Sequence, residues 1–192
     1  MARAAYQPEK YSEDYEKLGY SIDPELSDKY RTTFHHAGNK KTIVSYRGTK
    51  LNDPNDLMAD YAIFKGREGS SARFVQSRKF AEAAVKKYGK ENVSLTGHSL
   101  GGTQAITVGH QLGLQAHAFN PGVGVRTALK QGVAKLFSKF TGKKRGNGAA
   151  IHVYHTGMKD PISALSPLMR GNIKHIPVRF SKDAHGMSNF IF

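Results

Sequence analysis

Residues 93–103 read Val93-Ser94-Leu95-Thr96-Gly97-His98-Ser99-Leu100-Gly101-Gly102-Thr103, a short apolar run that passes into a glycine-rich segment. This pattern predicts a strand, a sharp G-x-S-x-G turn and the start of a helix. The two glycines that flank the turn have no Cβ, so the strand and the helix can approach each other closely. The turn strains the backbone of Ser99 and exposes its side chain, while the amide of Leu100 points toward any negative charge nearby. We therefore predict that Ser99 is a nucleophile, and a purely structural turn is the alternative.

Strand and helix patterns alternate on both sides of this turn. The predicted strands are residues 42–46, 115–119, 149–155 and 173–180, and the predicted helices are 71–88 and about 101–112. Such alternation is typical of an α/β protein with a mostly parallel central sheet and helices on both faces. In such a sheet the site lies at the carboxyl ends of the strands.

The length of 192 residues fits one domain spanning residues 1–192. Tyrosines and charges of both signs in residues 1–40 predict an N-terminal helical flap over the sheet, with a short helix that ends at Gly19 and a second short segment after Pro24. Residues 50–62 combine a polar loop with apolar side chains, which predicts a short lid-like segment.

The composition excludes several classes of site and of membrane protein. The chain has no cysteine, which rules out disulfides, thiolate zinc sites and a cysteine nucleophile. It has no apolar leader pattern and no run near the roughly 18 apolar residues of a membrane span. We expect a soluble protein without a signal peptide, cytoplasmic or associated with an assembly, for which peripheral contact with a membrane is left open.

The charge distribution is strongly asymmetric. The net charge is +14, and residues 92–192 hold two acids against twelve lysines and arginines. A basic half predicts an anionic partner, either lipid headgroups or nucleic acid, although a solvated basic surface is an equally common explanation. Nucleic acid is unlikely as the partner, because the chain lacks a zinc spacing, a basic helix leading into heptads and an RNP-like strand.

Residues 121–148 form the most basic segment and predict a basic amphipathic helix and loop. The helix over residues 125–140 either lies on an anionic membrane surface or packs its apolar stripe on the sheet. In the loop that follows, Lys143, Lys144 and Arg145 are the candidates for contact with an anionic surface.

An activated serine needs a histidine base and an acid that orients it, in the chain order serine, acid, histidine. Only Asp160 and Asp183 follow Ser99. Asp160 lies just past a strand end and precedes a proline, whereas Asp183 is too close in sequence to His185 to hold that ring easily. We therefore choose Asp160 as the acid and treat Asp183 as a residue with a structural role or one that supports the site without contacting the substrate.

His185 is the predicted base among the nine histidines. Most of the others precede Asp160, and His175 falls within the last predicted strand. His152 and His155 are three apart on a strand and point to opposite faces, which argues against a metal pair. We expect neither a metal ion nor a cofactor.

An oxyanion hole needs a second donor besides the amide of Leu100. Thr49 ends the Arg47-Gly48-Thr49 segment after an early strand, and its hydroxyl adds a further donor. The alternative role for Thr49 is that of a strand-terminating turn residue.

Several short motifs together carry a resemblance to a known family. They are Ser45-Tyr46-Arg47-Gly48-Thr49, Asp60, Leu95-Thr96-Gly97-His98-Ser99-Leu100-Gly101-Gly102, Phe119-Asn120-Pro121, Asp160-Pro161-Ile162 and His185. In this order they resemble the class 3 (fungal lipase-like) α/β-hydrolases over residues 40–192. The resemblance implies a compact α/β-hydrolase fold and a triad of Ser99, Asp160 and His185. It also implies an oxyanion hole at Thr49 and Leu100, and a lid whose acyl-binding candidates are Leu51, Leu57 and Met58.

The resulting expectation is a serine carboxylic-ester hydrolase, lipase-like or phospholipase-like, that cleaves lipid acyl esters through an acyl-enzyme. The alternative is a non-catalytic protein that docks to lipid or membrane with a lipase fold, as part of a larger assembly. A complete set of serine, acid and histidine favours the enzyme.

Overall fold

The structure is a computed structural model that describes residues 1–49, 72–122, 150–156, 160, 173–178, 185 and 187–190. The predicted lid-like segment at 50–62 and the predicted helix at 125–140 lie outside the described residues. No helix in the described part of the chain is long and apolar enough to cross a bilayer.

The described strands form one sheet in which the spatial order follows the chain order. They are β1 (Tyr20–Asp28), β2 (Arg31–His36), β3 (Thr42–Tyr46), β4 (Val93–His98), β5 (Gln115–Phe119), β6 (Ile151–His155) and β7 (Ile173–Pro177). The first three strands pair antiparallel, and β3 to β7 pair parallel. The described helices are α1 (Ser12–Glu16), α2 (Ala72–Tyr88) and α3 (Leu100–Leu112).

The prediction of a helical flap over residues 1–40 is wrong for its second half. Helical turns are confined to residues 4–16, and β1 and β2 form an antiparallel hairpin. The Asp28 side chain stabilises the hairpin turn by accepting hydrogen bonds from the Tyr30 and Arg31 amides at 2.8 and 2.9 Å. Pro24 is tolerated in β1, the edge strand, because it lies where the register with β2 shifts.

The elements predicted around the glycine-rich turn are confirmed. Strands 42–46 and 115–119 have the predicted bounds, and the helix predicted over 71–88 is described from Ala72 to Tyr88. Gly89 follows that helix with φ 84°, a conformation that favours glycine. The last strand ends at Pro177, ahead of the predicted residue 180.

The two faces of the sheet are covered by different parts of the chain. Val44 and Leu95 are fully buried on one face, in a core that includes Ala81 of α2 and Ile106 of α3. Phe34 is fully buried on the other face, in contact with the N-terminal segment that contains α1. Helical segments therefore lie on both faces. This mostly parallel sheet, with a strand–turn–helix after its central strand β4, has the α/β-hydrolase fold.

Candidate active site

Ser99 forms a sharp corner between β4 and α3. Its backbone has φ 56° and ψ −125°, in a region that non-glycine residues rarely occupy. The surrounding structure holds this conformation, because the Ser99 amide donates to the Phe119 carbonyl at 3.0 Å and its carbonyl accepts from the Thr103 amide at 3.1 Å. The corner therefore has the strained geometry that the G-x-S-x-G pattern predicts.

The flanking glycines are required by close approach of the backbone. A Cβ at Gly97 would overlap the backbone of Gly101, and a Cβ at Gly101 would overlap the carbonyl oxygen of Tyr46. The first turn of α3 thus lies directly against the end of β3. This contact brings the residues that follow β3 next to Ser99.

Asp160 and His185 form a hydrogen bond at the carboxyl edge of the sheet. The Nδ1 atom of His185 lies 2.8 Å from Oδ2 of Asp160, whose side chain is fully buried, while the His185 side chain is 22% exposed. An ionised carboxylate only accepts hydrogen bonds, so Nδ1 carries the hydrogen and Nε2 is left as an acceptor. This is the tautomer that a general base paired with a serine requires.

Leu100 and Thr49, the two residues predicted to form the oxyanion hole, lie beside the corner at Ser99. Leu100 is the first residue of α3 and is buried, and amides in the first turn of a helix have no partner within the helix. Thr49 is half-buried and follows Gly48, where a Cβ would lie 2.7 Å from the carbonyl oxygen of His98. The loop after β3 therefore packs against the residue that immediately precedes Ser99.

The buried side chains of Arg73 and Arg47 stabilise the segment that leads from β3 to Thr49. The Nη2 atom of Arg73, in the first turn of α2, donates to the Arg47 carbonyl at 3.2 Å. The guanidinium of Arg73 lies 3.7 Å from the centroid of the Tyr30 ring, and that of Arg47 lies 5.3 Å from it. Helix α2 and the β1–β2 hairpin therefore fix the loop that leads to Thr49.

Two residues without a predicted role contact His185. The Nε2 atom of His98 lies 2.7 Å from the His185 carbonyl oxygen, and Nδ2 of Asn120 donates to the same oxygen at 3.2 Å. No local pattern reveals this contact, because residues 98 and 185 are 87 positions apart.

The residues predicted to contact the acyl chain or an anionic surface lie outside the described residues. Leu51, Leu57 and Met58 of the lid-like segment lie outside the described residues, as do Lys143, Lys144 and Arg145. Asp183 lies outside them as well. Within the described ranges, no group of three histidine, aspartate or glutamate side chains is arranged to hold a metal ion.

Comparison with known proteins gives a partial family match and several similar structures. The model of an uncharacterised protein family (UPF0227) matches residues 70–156, less than half of the chain. No curated protein sequence matches the chain.

The similar solved structures include fungal lipases and a bacterial carboxylesterase. The lipase from Rhizopus microsporus var. chinensis is 18% identical with a TM-score of 0.44, and the match covers 82% of this chain and 63% of that one. Lipase II from Rhizopus niveus is 18% identical with a TM-score of 0.46, with coverage of 86% and 71%. A carboxylesterase from Mesorhizobium loti is 12% identical with a TM-score of 0.44, with coverage of 88% and 92%. The chain thus spans less than two thirds of the first of these lipases.

Proposed function

We propose that this protein is a serine carboxylic-ester hydrolase that acts through an acyl-enzyme. The observation that carries the proposal is the 2.8 Å hydrogen bond between His185 and the buried Asp160, at the carboxyl ends of the strands, where the strained corner holds the half-buried Ser99. A buried acid, a histidine in the matching tautomer and a serine at a strand–helix corner are the three parts that this chemistry needs.

The reaction begins with attack of the Ser99 hydroxyl oxygen on the ester carbonyl carbon. Nε2 of His185 takes the hydroxyl proton, and the Asp160 carboxylate stabilises the imidazolium that forms. Collapse of the tetrahedral intermediate breaks the bond to the alcohol, which leaves with the proton from His185. Water then attacks the acyl-enzyme, again with His185 as base, and releases the acid and free Ser99.

The developing oxyanion is held by donors beside Ser99. The amide of Leu100 opens α3, whose macrodipole is positive at this end. The second donor in this proposal is Thr49, through its amide and its hydroxyl. Loss of one such donor lowers turnover by about a hundredfold or more.

The substrates we propose are lipid acyl esters, as in a lipase or phospholipase. The resemblance of the motifs to the class 3 lipases supports this choice. The net charge of +14, concentrated in residues 92–192, favours substrates presented at an anionic surface. Lys143, Lys144 and Arg145 are the proposed contacts to that surface.

The test is hydrolysis of a short p-nitrophenyl ester by the purified protein and by Ser99→Ala. We expect Ser99→Ala to abolish turnover while its thermal unfolding stays close to that of the unaltered protein. Ser94→Ala, on the same strand, is the matched control and keeps full activity. Full activity of Ser99→Ala would overturn the proposal, and a well-folded protein without activity on any ester class would favour a non-catalytic lipid-docking role.

A further inference from the structure

The carbonyl oxygen of His185 is held by two side chains from neighbouring strands. His98 at the end of β4 and Asn120 just after β5 both contact it, at 2.7 and 3.2 Å. We propose that His98 and Asn120 are positioning residues that keep the base His185 in register with Ser99. This inference rests on the proposed function, in which Ser99 is the nucleophile.

His185 needs such support because of where it lies. It follows β7 and lies outside the helices and strands of the described part of the chain, so it is not one of the residues that the described strand pairing holds. The bond to Asp160 restrains the ring through Nδ1. Two donors on the carbonyl oxygen restrain the backbone as well, and together they match the two lone pairs of that oxygen. His185 is thus held at its ring and at its backbone, and together these restraints limit the directions in which Nε2 can point.

His98 contacts the base His185 and is joined to the nucleophile Ser99 by a peptide bond. It immediately precedes Ser99, and its side chain is buried with a ring centroid 4.8 Å from that of His185. A movement of the β4 terminus therefore carries Ser99 and the support of His185 together. Proton transfer depends on this distance, and a misplacement of about 1 Å costs up to about a hundredfold in rate.

The tautomer of His98 is set by its partners. A carbonyl oxygen only accepts, so the hydrogen lies on Nε2 of His98 and a neutral ring has an acceptor at Nδ1. The Tyr6 hydroxyl lies 3.0 Å from this Nδ1 and donates to it. That hydroxyl occupies the space that a Cβ at Gly48 would fill. The N-terminal segment thereby supplies a donor that fits the form of His98 that donates to His185.

Asn120 connects Thr156, which follows β6, to the base His185. Its Oδ1 accepts from the Thr156 amide at 3.0 Å, and this orients Nδ2 toward the His185 carbonyl. Thr156 follows β6 and lies four residues before Asp160 in the chain. Asn120 is fully buried with φ 40°, a conformation that asparagine adopts more readily than most residues.

The test is a comparison of three variants in ester hydrolysis. His98→Leu removes the donor to His185, and we expect kcat to fall by about tenfold to a hundredfold. Because the substrate contacts are untouched, KM stays within about twofold. His98→Gln places an amide donor near the position of Nε2 and restores most of kcat. His36→Leu, on β2 and remote from the site, is the matched control and leaves both constants unchanged.

Ring-nitrogen NMR of the ¹⁵N-labelled protein tests the same contact without turnover. We expect His98 in the Nε2–H form, and a change in the His185 ring signals in His98→Leu that His98→Gln reverses. The proposal is overturned if His98 is in the Nδ1–H form, or if His98→Leu leaves kcat and the His185 signals unchanged. If the unaltered protein hydrolyses no ester, the proposed function fails, and the NMR result still decides whether His98 holds His185.

Discussion

His185 Nδ1 lies 2.8 Å from Oδ2 of Asp160, although the two residues are 25 positions apart and follow different strands. Asp160 is fully buried, and the hydrogen bond from His185 offsets part of the cost of burying its carboxylate. The pairing therefore fixes which ring nitrogen of His185 carries the hydrogen. Its effect on catalysis can be measured by replacing the acid with its amide.

Asp160→Asn is expected to lower kcat by about ten-thousandfold, because the amide favours the wrong tautomer of the histidine. The substitution is isosteric, so the fold should be retained. Steady-state kinetics with a p-nitrophenyl ester provide the measurement, and Asp14→Asn at an exposed position is the control. A variant with more than about a tenth of normal turnover would contradict the role of Asp160 as the orienting acid.

Gly101→Ala is expected to destabilise the fold, because the added Cβ overlaps the Tyr46 carbonyl oxygen and lies 3.0 Å from the carbonyl carbon of Arg47. Overpacking of this kind costs about 1–3 kcal/mol in the free energy of unfolding. Urea denaturation measures the loss. Gly109→Ala, later in α3, is the comparison, since its nearest new contact is at 3.1 Å and the expected loss is smaller. Equal stability of the two variants would show that α3 does not pack on the end of β3 as described.

Asp23→Asn is expected to weaken the contact between β1 and the end of α2. The buried Asp23 carboxylate accepts from Lys87 Nζ at 2.9 Å and from the Tyr88 hydroxyl at 2.7 Å. Burial raises the pKa of Asp23, but the hydrogen bonds from Lys87 and Tyr88 outweigh it and lower the pKa below its usual 3.8. The stabilisation is therefore present above about pH 4 and is lost as the pH falls further.

Calorimetric or denaturant unfolding near neutral pH should show a loss of about 2 kcal/mol for this variant, the usual contribution of hydrogen bonds to a charged group. Asp14→Asn again serves as the exposed control. An unfolding free energy equal to that of the unaltered protein would mean that the three side chains do not form the described network.

Three histidines that are buried or half-buried predict a loss of stability in mild acid. Burial lowers the pKa of His110, His117 and His155 below the usual 6.5, and the neighbouring rings of His152 and His175 lower it further at His117 and His155 respectively. The unfolded chain therefore binds protons that the folded chain does not, so the free energy of unfolding falls as the pH drops below about 6.5. Denaturation at about pH 7.5 and about pH 5.5 measures the difference. His155→Gln should reduce it, and a stability independent of pH across this range would contradict the described burial.

The fold was predictable where it depends on local patterns. Strand 115–119 and the helix that ends before Gly89 follow from alternation and from apolar spacing within a few residues. The hairpin of β1 and β2 was missed, because its tyrosines, charges and Pro24 give no clear strand period. It is stabilised by pairing with β3 and by contact of Phe34 with the N-terminal segment.

The candidate site was likewise predictable only where it depends on patterns along the chain. Chain order and the scarcity of acids predicted the pair of Asp160 and His185, and the structure brings these two residues together. The support of His185 by His98 and Asn120 depends on how the strand ends are arranged in space. Spacing along the chain does not contain that information.

Labelling by a fluorophosphonate probe is the most direct test of the central claim, because the probe reacts only with an activated serine. The protein is incubated with the probe, and the modified peptide is identified by mass spectrometry, with Ser99→Ala and Ser94→Ala treated in parallel. We predict a single adduct on Ser99, present in Ser94→Ala and absent from Ser99→Ala. A folded protein that is not labelled, or that is labelled at another residue, would contradict the assignment of Ser99 as the nucleophile.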